Sequence, residues 1–179
     1  MLKWLMGPSD LDRKAQKLYG AVVAAARRPA FYAGLGVPDT PEGRFELVAL
    51  HLYLLMDRLC AGGEDVNPLI QRTIETFITD MDDCMREFGV GDITVAKKVK
   101  RAAAVFYDRS GTYRAALDAT DDVALAAAVQ SAINAPAAAP VDAETLARYI
   151  RSARKALQNA PLGTVEAADA AFPSIPEKA

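Results

Sequence analysis

At 179 residues and 19.2 kDa, the chain has the size of one domain and can bury a sizeable core. With 51% hydrophobic and 25% charged residues, it lies outside the compositions that stay disordered. A formal charge of -2 and a pI near 5.5 exclude a globally basic nucleic-acid binder and leave only local basic patches.

Alanine supplies about one residue in five and is the strongest helix former. The opening MLKWLMGPSD has six mostly apolar residues before Gly7-Pro8, too few for the apolar region of a signal peptide. Ser9 or Asp10 can cap a first helix reaching about Arg28, with Leu11, Ala15, Leu18, Val22 and Ala25 on one stripe. Pro29 ends it. The segment PAFYAGLGVPDTPEG reads as a loop or short turns, and Thr40-Pro41 starts a second helix running to about Ala61. That helix is apolar nearly all round. Phe45, Val48, Leu52, Leu55, Met56 and Leu59 fill one face, and Leu47, Leu50 and Leu54 fill much of the other. It must be covered on two sides, so it is the centre of the domain or one of its faces binds something.

A third helix is expected from Pro68 to Phe88, with the stripe Ile70, Ile74, Phe77, Ile78, Met81, Met85 and Phe88. A fourth runs from Thr94 to about Arg109, and Tyr113 and Leu117 continue its inward phase if it passes Gly111. A weakly anchored alanine-rich helix follows over 122–134, and another is expected over 143–158. The expectation is an all-α protein, a single compact bundle of about six helices with an irregular C-terminal tail. Its divisions are an N-terminal segment 1–9, a helical domain 10–134, a Pro/Ala linker 135–141, a C-terminal helix 142–158 and a mobile tail 159–179. The longest apolar stretch, Leu47–Met56, is too short to cross a bilayer. Cys60 and Cys84 have no paired spacing, so a reducing, cytoplasmic setting is expected.

Chemistry-bearing residues are few. His51 is the single histidine, without a second His or Cys ligand in register, and reads first as a structural residue. The carboxylates Glu46, Asp57, Asp80, Asp82, Asp83 and Glu87 lack the paired Glu-x-x-His of a di-iron bundle. No nucleotide-binding, metalloprotease or nucleophile-elbow motif occurs. Asp80, Asp82, Asp83 and Glu87 form a candidate acidic docking patch, or simply a solvated face. Lys97, Lys98, Lys100 and Arg101 are four cations in five positions. They can touch ribosomal RNA or lipid headgroups, or pair with the acids of the third helix. No aromatic residue interleaves with them, so sequence-specific nucleic-acid reading is not expected.

The runs FYAGLGVPDTPEGRFELVALHLYLLMDRL (Phe31 to Leu59) and FITDMDDCMREFGVGDITVAKKVKRAAAVFYDR (Phe77 to Arg109) resemble the ubiquinol–cytochrome c chaperone family. This is the bacterial branch of the assembly factor for the cytochrome bc1 complex. The resemblance covers roughly residues 15 to 133, with Asp108 standing where the family pattern has glycine. It implies a non-catalytic chaperone that helps newly made cytochrome b mature, with no catalytic residue, cofactor or metal. The mitochondrial members work with a small partner subunit and associate with ribosomes near the exit tunnel; for this chain the resemblance makes the ribosome a candidate contact and leaves a partner subunit open. Peripheral contact with the inner membrane is compatible with this.

A chaperone for a membrane protein must offer apolar surface. The residues suggested to line or lid such a client groove, on the second face of the second helix, are Phe31, Tyr32, Leu35, Leu47, Leu50 and Leu54. The alternative is that the first and last helices cover both faces. A competing function is a small haem-handling protein or enzyme using His51, Tyr53 or Met56, and a third is a membrane-surface adaptor using Met1 to Leu5.

Overall fold

A computed structural model describes residues 8–63, 67–87, 92–119, 121–133, 141–166 and 172–175. They form an all-α fold: α1 (Asp10–Ala26), a π turn (Ala30–Gly34), α2 (Pro41–Cys60), α3 (Asn67–Glu87), α4 (Asp92–Asp118), α5 (Val123–Ala132), α6 (Ala143–Asn159) and the short α7 (Leu162–Glu166). Among the described residues there is no strand, and no helix is long and apolar enough to cross a membrane. The MLKWL segment and Phe88 lie outside the described residues, as does most of the Pro/Ala linker.

Local chemistry sets the helix starts. Ser9 and Asp12 form a reciprocal capping box on α1: the Ser9 Oγ accepts from the Asp12 amide and the Asp12 carboxylate from the Ser9 amide. Thr40 caps α2 by accepting from the Gly43 amide at 3.2 Å, with Pro41 at the first helical position. Gly43 is required there, because a Cβ would stand 2.1 Å from the Pro38 carbonyl oxygen. Asp142 caps α6, and its own amide donates to the Leu35 carbonyl, which joins the start of α6 to the end of the π turn. Of the loop or short turns expected after Pro29, the segment forms a π turn at its start. Gly36, at φ 73°, turns the chain back so that the Val37 amide reaches the Phe31 carbonyl.

α2 lies at the centre and touches α1, α3, α4, α6 and α7. Twelve of its residues are buried. α1 and α3 run side by side, joined by the Asp12–Arg72 ion pair and by the Tyr19 hydroxyl donating to Asp80 at 2.7 Å. The α3 stripe is less sealed than its periodicity suggests: Leu69, Thr73 and Phe77 are buried, whereas Ile70, Ile74, Ile78, Met81 and Met85 are half-buried. α4 does pass through Gly111, because Tyr113, Ala116 and Leu117 beyond it are buried and hold the last turns.

Two expectations need correction. α5 is not weakly anchored: Leu125 and Val129 are fully buried, and Arg151 of α6 ties the α4–α5 turn through Asp122 and the carbonyls of Leu117, Ala119 and Asp121. The C-terminal tail is irregular only in part. α6 continues to Asn159, α7 buries Val165, and Phe172 is buried in the main core. Arg58 holds the exit from α6 by donating to the carbonyls of Leu157 and Ala160, each at 2.9 Å.

The seam between α2 and α4 carries buried charge. Glu46 and Arg109 approach to 3.4 Å as an ion pair, with neither Glu46 Oε2 nor Arg109 Nε in a hydrogen bond. Burial raises the Glu46 carboxyl above its usual range, and Arg109 opposes that shift. Removing the cation leaves an uncompensated carboxylate, so Arg109→Met should cost about 3 kcal/mol. Replacing both residues with apolar ones should recover most of that loss, as urea unfolding of the single and double variants will show.

Candidate functional site

The second face of α2 is the region the sequence marks for a client. Its residues are present there, but the face is closed. Phe31, Leu35, Leu47, Leu50 and Leu54 are all at most 4% exposed, and Tyr32 is half-buried with its hydroxyl donating to the Ala26 carbonyl at 3.0 Å. An open groove lined by these six residues therefore does not exist in this conformation. The covers come from α6, the π turn and the C-terminal segment.

His51 sits in the middle of this face, fully buried. Its Nδ1 is 2.7 Å from the Leu47 carbonyl oxygen and its Nε2 is 2.8 Å from the Tyr149 hydroxyl. A carbonyl only accepts, so Nδ1 carries the proton; Nε2 then accepts from Tyr149. Phe31 meets the imidazole edge-on at 5.4 Å, and Phe172 does the same at 5.0 Å. Phe31 also packs on Tyr149 at 5.1 Å. Desolvation lowers the His51 pKa to about 4, so the ring is neutral. Both nitrogens are engaged inside a sealed aromatic cluster, which leaves His51 no lone pair for a haem iron. Tyr53 is buried on the α4 side, its ring centroid 5.8 Å from that of Tyr113, and does not join His51.

The sequence did not single out Phe172, Arg28 or Tyr149 for this cluster. The available signal was the lone aromatic residue in FPSIP, where Pro173 and Pro176 bias Phe172 and Ile175 toward extended backbone. Arg28 donates one guanidinium hydrogen bond to the Phe172 carbonyl at 2.9 Å and another to the Pro173 carbonyl.

The acidic patch is only partly available. Asp80 is committed to Tyr19 and Asp82 pairs with Arg86, while Asp83 and Glu87 are exposed. Lys97, Lys98, Lys100 and Arg101 are all exposed, and none forms an ion pair among the described residues. Tyr107, 60% exposed, lies further along the same helix. Among the described residues, no group of three or more His, Cys, Asp or Glu side chains is placed to hold a metal ion.

The buried imidazole has a measurable consequence. Between pH 6.5 and about 4 the unfolded chain protonates His51 and the folded chain does not, so stability falls as pH drops through that window. Above pH 6.5 both states are neutral and the effect is absent. The loss should approach about 3 kcal/mol. In His51→Gln this share of the acid sensitivity should vanish; superimposable pH–stability slopes for the two proteins would refute the assignment.

The sequence family described as ubiquinol–cytochrome C chaperone matches residues 33–172. No curated protein sequence matches the chain. The fold is similar to the crystal structure of the Cbp3 homolog from Brucella abortus, with a TM-score of 0.81 and 37% sequence identity. That similarity covers 91% of this chain and 90% of the Brucella chain. With the profile spanning most of the sequence and a related structure superposing over nearly all of it, this chain belongs to the ubiquinol–cytochrome C chaperone family.

Proposed function

We propose that the chain is a non-catalytic assembly chaperone for the cytochrome bc1 complex, and that its client is newly made cytochrome b. The observation that carries this reading is the family match over residues 33–172, supported by the 37% identity to the Cbp3 homolog. The layout of the molecule suits such a task. Its most apolar surface is held inside, its one histidine is locked in the core, and its clustered cations are free for contact. Lys97, Lys98, Lys100 and Arg101 serve in this reading as a polyanion contact that brings the chaperone to the ribosome or to headgroups at the inner face of the membrane.

Deleting the gene should remove the cytochrome b haem absorbance from membranes while other respiratory haems persist; normal bc1 levels would contradict the proposed role. Reversing the four charges to glutamate should weaken co-sedimentation with ribosomes or anionic vesicles at least tenfold, with the remaining binding falling steeply with salt. Unaltered sedimentation would remove the basic cluster from the account.

A further inference from the structure

The closed face of α2 is sealed in part by a segment with an unusual mode of attachment. Phe172–Ile175 has no helical structure, and no backbone–backbone hydrogen bond holds it among the described residues. It is held in two other ways. The Arg28 guanidinium takes the carbonyls of Phe172 and Pro173, and the Phe172 ring rests edge-on against His51 in the cluster with Phe31 and Tyr149. Ile175 adds a partly buried contact to the same core.

Each feature is a way of holding a peptide, not a helix. Backbone carbonyls are common to every extended chain, so the Arg28 fork reads conformation and not sequence. One aromatic ring in a desolvated pocket supplies the anchor. We propose that Phe172–Ile175 is a resident stand-in for the client, and that an extended apolar client segment carrying an aromatic side chain takes its place on His51, Phe31 and Arg28. This inference rests on the chaperone reading for the identity of the visitor. The exchange of one strap for another does not depend on it.

Covalent attachment gives the tail a high effective concentration at its own pocket, on the order of millimolar for a short tether. A free client segment therefore enters only when it binds more tightly or is itself delivered nearby. In the idle protein the apolar face stays covered, which keeps the chaperone from associating with itself.

The test uses the full chain and a fluorescein-labelled peptide of residues 169–179, DAAFPSIPEKA. Phe172→Ala empties the anchor pocket and should bind this peptide at least tenfold more tightly than the unmodified protein; equal affinity would overturn the proposal. A peptide with alanine in place of phenylalanine should not bind, and binding by it would also overturn the proposal. A second protein keeps the test decisive if Phe172→Ala does not fold. A protease site inserted between Glu166 and Phe172 allows the tail to be cut after folding, and the cut tail should exchange for the labelled peptide. No exchange would count against the strap being replaceable.

The client arm measures newly made cytochrome b recovered with the chaperone. Recovery should at least double with Phe172→Ala and fall when excess peptide is added. If the peptide binds but recovery is unchanged by both, the pocket is not the client site, and the chaperone reading stands without it. If no form of the protein recovers cytochrome b, the chaperone reading itself fails.

Discussion

A helix that is apolar on both faces cannot lie on the surface of a protein, and α2 imposes that condition on everything around it. Leu47, Leu50, Leu52, Leu54, Leu55 and Leu59 are all buried. Each such side chain contributes about 1.5–3 kcal/mol when removed from water, so this one helix supplies stabilisation on the order of the whole protein's net stability. The remaining helices are arranged accordingly. α1 and α3 pack against α2, where Phe45 reaches Phe77 at 6.3 Å. α4 meets it through Arg109 and Tyr113, α6 through Tyr149, and α7 lays Leu162 against Gly62 at its end.

The polar residues on α2 determine how those partners dock. A lone leucine face can slide against another leucine face, but a buried polar group is costly unless its own partner arrives. His51 fixes α6 through Tyr149. Glu46 fixes α4 through Arg109, and Asp57 fixes α6 again through Arg154 at 2.9 Å. Arg154 also reaches Asp118 at the end of α4, so one guanidinium joins three helices. These contacts contribute less to net stability than the leucines do, but they select one arrangement among the many that would bury the same area.

This division bears on chaperone function. A protein that handles an unfinished membrane protein needs apolar surface, yet open apolar surface drives its own association. Here the greasiest face is covered by α6, the π turn and Phe172 together, while the cations of α4 stand in solvent. In the proposed role the two regions differ in kind: the first would offer shape and desolvation, the second long-range attraction that weakens with salt.

Much of the helical order was legible in the sequence because it is local. The cap at Ser9 or Asp10, the Thr40-Pro41 start and the apolar spacing of α1 and α2 depend on neighbours within one or two turns. The two-sided character of α2 was legible too, and so was the demand that both sides be covered. What covered them was not. Tyr149, Phe172 and Arg28 converge on His51 from distant parts of the chain, and periodicity carries no information about which face meets which. The same limit explains Asp80, which looks like a free surface acid until Tyr19 takes it, and the α3 stripe, most of which its neighbours leave half-buried. Residue spacing fixed the helices and their greasy faces, since those follow from backbone geometry and short-range sterics. Only packing decided which faces were sealed and by whom, since burial belongs to pairs of surfaces and not to one segment.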